Sequence, residues 1–491
     1  MGICRRNFTL GMLAGASSSL VKALAPPPKL LVLVLLEQLR GDHLDLASPQ
    51  FSANGLRRVL YKGAHFPDCR HLASTFSSSG IATLSTGAWP SEHGIVADNW
   101  FDSASQAPIT ASSEALLAGT LCAQIAADTR TRTYVIGMDA VQTALVAGDS
   151  PARQFWMDSD GRFTTLGEAP DWLVTANNLK PVENAHGAPW MAMDARSGAP
   201  PLRTLRFDEQ HPEDFRRLYR ASPFAQQAQF ELLHDLIVND RLGQGESLDF
   251  VCLVAGAGSL LGIEDGARSP LVHQIVLHLD RHIDYLLEAL KTAPGENAFT
   301  LVLAAAHGVV AAPSVDSRAR MAVDGESVAQ AVNRALVSTD SGRVARYIYP
   351  FLYLDTSGYR DPEPLRMAAV RAAMSHPAVA ACYTAGGYCT VRDEFEQRFR
   401  NSFHPRRSGD VMLSYRPGYV EEFGQGRGVS YGSLYNYDVR VPLVFYGPQF
   451  RAGVFEKPVQ SVDVAPTIAR VFGVAPPPSS VGRVLGEALA E

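Results

Sequence analysis

The run Leu30 to Leu36 restricts the fold more than any other stretch of this chain: it is apolar and β-prone throughout, with no polar alternation. A strand with one wet face alternates, whereas an unbroken run suits a strand covered on both faces, as in the parallel sheets of α/β proteins. Glu37 follows at once and so stands at a strand's carboxyl end, where open α/β sheets place their ligand sites. Similar runs occur at Leu248 to Val254, at Thr300 to Ala305 and at Val441 to Tyr446, the last closed by Gly447 and Pro448. From Ser269 to Lys291, Leu and Ile recur at helical spacing, so strand, helix and strand make a crossover unit.

These signals predict one large α/β domain over residues 26–491, with a mostly parallel sheet flanked by helices. Residues from about 155 to 225 are rich in Pro, Asp, Arg and aromatics without clear periodicity, and read as a loop-rich insertion over the sheet edge. Residues from about 345 to 395 read as a small α+β cap: a strand (Arg346 to Leu354), a helix (Pro364 to Ser375) and a hairpin around Gly386-Gly387.

The first 25 residues read as a twin-arginine signal peptide. Arg5 and Arg6 precede Phe8, the apolar run Leu10 to Val21 is short and rich in Gly and Ser, and Ala23-Leu24-Ala25 offers a cleavage site before Pro26. The expected location is periplasmic or secreted. No segment reaches the roughly 20 apolar residues of a transmembrane helix. Removing Arg5, Arg6 and Lys22, with no acid, moves the formal charge from −6 to −9, and no basic stripe points to nucleic acid. Cys69, Cys122, Cys252, Cys382 and Cys389 would remain. An odd count excludes full pairing, and Cys382 and Cys389 could either close a hairpin or stay as buried thiols.

Leu36-Glu37-Gln38-Leu39-Arg40, Gly80-Ile81-Ala82-Thr83-Leu84-Ser85-Thr86-Gly87, the segment His93 to Asp102, His307-Gly308, the segment His404 to Asp410 and the segment Tyr435 to Leu443 stand in this order, followed by Asp463-Val464-Ala465-Pro466-Thr467-Ile468. Their order resembles that of the type I phosphodiesterase/nucleotide pyrophosphatase-like enzymes of the alkaline phosphatase superfamily. The bacterial exported alkaline phosphatases of that group look most similar.

The resemblance implies two zinc ions, roughly 4 Å apart, that activate a nucleophile and hold the leaving oxygen. It also implies where their ligands would stand. The first Asp position is Glu37, which keeps a carboxylate. An Asp and a His four residues apart become Ser259 and Ile263, an Asp-His pair becomes Ala306-His307, and a late His becomes Tyr431. One metal site thus keeps Glu37 and His307, and the other keeps no ligand of normal quality. The nucleophile position falls on Ser77, the substrate-contacting Asn on Asp98, and the Lys and Arg of the phosphate clamp on Asp139 and Val141. An anion and an apolar group in place of two cations reverse the local field.

Two other clusters carry less weight. His278 and His282, with Asp280 between them, could grip a metal from one helix face or simply face solvent. Arg406 and Arg407, beside His404, could bind an anion or support a turn. The expectation is therefore an exported superfamily member impaired as a phosphatase, holding at most one divalent metal, with a small molecule or protein as its ligand. The alternative is an active phosphomonoesterase or phosphodiesterase using Ser77 with one metal on Glu37 and His307. Metal-free chemistry at Ser77 would need a base that the sequence does not point out.

Overall fold

A computed structural model describes residues 27–102, 104–128, 130–258, 268–310, 322–421 and 431–490. Leu30–Leu36 lies at the middle of a ten-stranded sheet, buried along its whole length. It runs parallel to Asp249–Ala255 on one side and Phe299–Ala305 on the other. Beyond Asp249–Ala255 lie Arg132–Gly137, Arg153–Met157 and Phe163–Thr165; beyond Phe299–Ala305 lie Arg440–Tyr446, Ala64–Arg70 and Gly453–Val454.

The apolar runs correspond to strands within a residue of their expected bounds. The fourth, Arg440–Tyr446, is antiparallel to both its neighbours, so the sheet is mixed on that side. The crossover helix spans Pro270–Leu290, with Pro270 in its first turn and the Ser269 side chain accepting the Leu271 N–H. Both features favour a helix start.

One expectation is refined and one changes. Residues 155–225 are loop-rich, above all between 185 and 211, but Arg153–Met157 and Phe163–Thr165 extend the main sheet, and the helices Asp171–Asn178 and Pro212–Arg220 follow. Phe155, Phe163, Trp190, Phe215 and Tyr219 are buried while Phe207 is exposed, so the rings pack without following one period. The expected strand from Arg346 to Leu354 is two antiparallel strands, Val344–Ile348 and Phe351–Leu354. Tyr349 and Pro350 make the turn between them, where Pro350 has no N–H to give to a ladder. With Val411–Tyr415 and Val379–Thr384 they form a second, four-stranded sheet, packed by the helices Gly325–Ser338 and Glu363–Met374 over a core of its own.

Candidate functional site

The site forms where the central strand stops. The Glu37 N–H donates to Ala255 O at 3.3 Å and the Ala306 N–H to Leu36 O at 2.8 Å, so the three strand ends finish together. Gln38 has a φ of 54°, in the left-handed region, and turns the chain away while leaving the Glu37 side chain at the sheet's end. Gly256 makes room for it, since a Cβ there would fall 2.7 Å from Glu37 Oε2.

Ser77 opens the helix Ser77–Thr86, which has no side-chain cap on its preceding residue, Phe76. The Ser77 hydroxyl donates to Glu37 Oε1 in a short contact. Gln142 Nε2 donates to Glu37 Oε2 at 2.8 Å, and Gln142 Oε1 accepts the Met138 N–H at 2.8 Å. Burial pushes the Glu37 carboxyl up to about 8; its bonds to Ser77 and Gln142 oppose this, and the charges of Asp139 and Asp98 add to it.

Asp98 supplies what the helix start lacks. Its Oδ1 accepts the Ser78 N–H at 2.9 Å and its Oδ2 the Tyr431 hydroxyl at 2.9 Å. A carboxylate at a helix N-terminus is favourably placed for charge and for hydrogen bonding. The Tyr431 ring stacks on His307, with centroids 4.6 Å apart, and burial drives its phenol well above the ordinary value. His307 Nδ1 lies 2.8 Å from Gly308 O, a pure acceptor, so Nδ1 carries the proton and Nε2 the lone pair. That Nε2 is buried without a hydrogen-bond partner among the described residues, and burial lowers the imidazole to about 4.

Asp139 caps the helix Ala140–Ala147, accepting the Gln142 N–H at 2.9 Å, and burial raises its carboxyl. Val141 lines the same cavity, of about 510 Å³, as Glu37, Ser77, Asp98 and Tyr431. The structure thus gathers Glu37, Ser77, Asp98, Asp139, Val141 and Tyr431, with His307 behind Tyr431. Ala306 is fully buried at the adjoining strand end and offers only a methyl group. Ser259 and Ile263 lie outside the described residues.

Among the cavity-wall residues that sequence reasoning missed, Gln142 and Arg220 bear most on its chemistry. Gln142 lies one residue past Val141, and its register on the first helical turn could have flagged it. Arg220 had no local signal, because it ends a helix of the insertion. Its guanidinium donates to Met138 O at 2.7 Å, Asp158 O at 2.9 Å and Met157 O at 3.3 Å, so most of its hydrogen bonding is spent on backbone carbonyls.

The side clusters lie apart from this cavity. Asp280 accepts the Leu56 and Ser52 N–H groups at 2.8 and 2.7 Å, so it does not join His278 and His282. Those histidines are half-buried: His282 stacks on Phe230 of the neighbouring helix at 5.1 Å, and the Nε2 of each is buried without a hydrogen-bond partner among the described residues. Arg407 donates to Gly94 O and Ala115 O at 2.6 and 2.7 Å and lies over the Trp100 ring, supporting its turn. Cys382 and Cys389 are unpaired and buried, like Cys69, Cys122 and Cys252. No group of three or more His, Cys, Asp or Glu arranged to hold a metal ion occurs among the described residues.

Known proteins place the whole in context. The alkaline phosphatase PafA of Elizabethkingia meningoseptica is 22% identical over 538 residues, covering 98% of this chain and 97% of the relative. The alkaline phosphatase PhoD of Zymomonas mobilis is 27% identical, covering 94% and 88%. The crystal structure of wild-type PafA superposes with a TM-score of 0.83 at 20% identity, over 95% of this chain and 100% of that one, and so shares the fold. Murine ectonucleotide pyrophosphatase/phosphodiesterase 5 superposes with a TM-score of 0.58 at 14% identity, over 94% of this chain and 100% of that one. The model of the type I phosphodiesterase/nucleotide pyrophosphatase family matches residues 31–428, and the chain belongs to that family, within the alkaline phosphatase superfamily.

Proposed function

We propose that this chain is an exported member of its family whose phosphate-ester hydrolysis is impaired and whose cavity serves to bind a small molecule or a protein segment. The observation that carries this reading is Asp98. Its carboxylate accepts the Ser78 N–H and the Tyr431 hydroxyl, at the helix start where a phosphoryl oxygen would be held. An internal anion there, with Asp139 beside it, repels a phosphate dianion. Arg220, the cation on the cavity wall among the described residues, is already bonded to three carbonyl oxygens.

The residues in hand do not fit a zinc pair. Glu37 is held by Ser77 and Gln142, Ala306 has no donor atom, and the Tyr431 phenol is bonded to Asp98. By sequence, Ser259 and Ile263 offer neither an anionic oxygen nor an imidazole. Phosphate-monoester hydrolysis without catalysis is among the slowest of reactions, with enzymatic accelerations approaching ~10²¹-fold, so losing metals and clamp removes most of the activity.

A second reading is an active phosphomonoesterase or phosphodiesterase with Ser77 as nucleophile and one divalent metal on Glu37 and His307. It is favoured by the buried, unpartnered Nε2 lone pair of His307 and by the names of the relatives. One experiment separates the two: zinc content and aryl-phosphate turnover of the mature chain purified in zinc-containing buffer. The impaired reading expects at most one ion per chain and at most a low residual turnover. One ion with ordinary turnover favours the second reading, and two tightly held ions overturn both.

Export rests on Arg5, Arg6 and the Ala23-Leu24-Ala25 site. It agrees with the fact that no helix among the described residues is long and apolar enough to cross a membrane. Replacing both arginines by Lys is expected to hold the precursor in the cytoplasm; mature protein outside at undiminished yield would remove the idea.

A further inference from the structure

We propose that Ser77, Glu37 and Gln142 form a metal-independent nucleophilic set that is acylated by small uncharged or cationic carboxylic esters. The structural signature of an activated nucleophile is a hydroxyl bonded to a base which a third group holds in place. Ser77 donates to Glu37 Oε1, Gln142 Nε2 fixes Glu37 Oε2 at 2.8 Å, and the Met138 N–H fixes Gln142 Oε1 at 2.8 Å. These residues come from a strand end, a helix start and a second helix's first turn. Only the fold joins them, which is why no base for Ser77 was legible in the sequence.

The chemistry balances without a further reactant. In acylation, the bond from Ser77 Oγ to the carbonyl carbon forms as the serine proton passes to the Glu37 carboxylate. The bond from that carbon to the alcohol oxygen then breaks, and the alcohol leaves with the proton. In deacylation, a water oxygen joins the carbonyl carbon as its proton passes to Glu37. The proton returns to Ser77 Oγ as the acyl–serine bond breaks, releasing the carboxylic acid.

The cavity sets the substrate class. At about 510 Å³ it suits a small molecule. Asp98 and Asp139 on its wall disfavour anions, while Met138 and Val141 offer apolar surface. The Ser78 N–H and the Tyr431 hydroxyl now serve Asp98. A substrate carbonyl oxygen that displaces this carboxylate inherits two donors, the arrangement that stabilises a developing oxyanion. Asp98 is therefore a brake on the reaction. The inference stands apart from the impaired-phosphatase reading, because ester acylation does not require the clamp that a phosphate dianion needs.

The test uses the purified mature chain in excess chelator with p-nitrophenyl acetate at about pH 9, above the value of about 8 to which burial raises Glu37, so that it stands as the carboxylate base. The expected result is a burst of nitrophenol of one equivalent per chain, with the acetyl group found on Ser77 by peptide mass spectrometry. Ser77→Ala abolishes the burst while its thermal unfolding matches the wild type. Glu37→Gln, which keeps the shape but cannot take the proton, slows it about 100-fold. Gln142→Ala, at a positioning residue, lowers the rate constant of the burst roughly 10-fold while its amplitude stays at one equivalent per chain, whereas loss of fold lowers the amplitude. Asp98→Ala speeds it. The anionic p-nitrophenyl succinate reacts more slowly than the acetate. Acetyl groups found only on lysines, or a burst undiminished in Ser77→Ala or Glu37→Gln, overturn the proposal. Zinc content and phosphate turnover are read in separate assays, so failure of the functional reading is distinguishable from failure here.

Discussion

Glu37 and Glu421 are both buried carboxyl groups held by hydroxyl donors, one at the end of the main sheet and the other in the seam beneath the smaller one. Glu421 Oε2 accepts the Tyr415 hydroxyl at 2.7 Å and the Tyr347 hydroxyl at 2.9 Å, and burial raises it to about 7, against about 8 for Glu37. The difference lies in what surrounds them. Tyr347 and Tyr415 are also 2.9 Å from each other and close over Glu421, whereas Ser77 and Gln142 hold Glu37 on the wall of a cavity shared with two other acids. A raised carboxyl reports burial; the neighbours decide whether it is a pin or a reactive group.

The widest separation of the two regions is expected in catalysis. Ser259→Asp, Ile263→His, Ala306→Asp and Tyr431→His together should let zinc bind, since the strand ends that present Glu37 and Ala306 are intact. Phosphate turnover should stay poor until Asp98→Asn, Asp139→Lys and Val141→Arg restore the clamp, which should raise it on the order of 10²-fold or more. Tyr347→Phe and Tyr415→Phe should leave both readouts unmoved. Zinc stoichiometry and aryl-phosphate kinetics across the series check this, and ordinary turnover by the wild type breaks the comparison.

Stability should respond the opposite way. Glu421→Ala removes the acceptor shared by two buried tyrosine hydroxyls, which then keep only each other, and should cost about 3 kcal/mol. Glu37→Gln at pH 6 replaces a protonated carboxyl by an amide that still accepts from Ser77, and should change stability by less than about 0.5 kcal/mol. Urea midpoints with unchanged slopes measure both.

The pH dependence separates them further. Both carboxyls are raised from an ordinary value of 4.5, so the folded chain keeps a proton that the unfolded chain has lost. Stability from each is fully present below about 4.5 and falls as pH rises, by up to about 1.4 kcal/mol per unit, until about 7 for Glu421 and about 8 for Glu37. Asp438 falls away in step with Glu421, being raised to about 7. The buried His71, His93 and His307 are lowered from 6.5 and act below that pH, in the opposite sense. A decline between pH 7 and 8 in the wild type, absent from Glu37→Gln and present in Glu421→Gln, is the expected denaturation profile.

Within the smaller region the mildest change is Tyr347→Phe: Glu421 keeps the Tyr415 hydroxyl, and the two hydrogen bonds of the Tyr347 hydroxyl are lost, for about 1 to 2 kcal/mol by the same urea titration.

Much of the frame was legible because its cause is local. An unbroken apolar run reports a strand covered on both faces wherever it lies, and Leu30–Leu36 is fully buried as its residues demand. The Ser269-Pro270 start and the helical spacing behind it marked the crossover helix almost to the residue. Val344–Ile348 and Phe351–Leu354 read as one strand because Tyr349-Pro350 is a turn only once the two halves pair. His278 and His282 read as a possible metal grip or a wet face, because the sequence does not show that Phe230 stacks on one of them.

The sequence by itself determined the parallel sheet, the placing of Glu37 at a strand's carboxyl end, the hydroxyl at Ser77 and the chemical identity of the groups at the metal-ligand positions. These follow from residue type, period and the order of motifs along the chain. Tertiary structure alone decided which group each of them meets. Gln142 reaches Glu37 across 105 positions of sequence, and Tyr431 reaches Asp98 across 333. A hydrogen bond reaches only a few ångströms, so partners this far apart are chosen by where the sheet brings its loops together, and no window of sequence contains both.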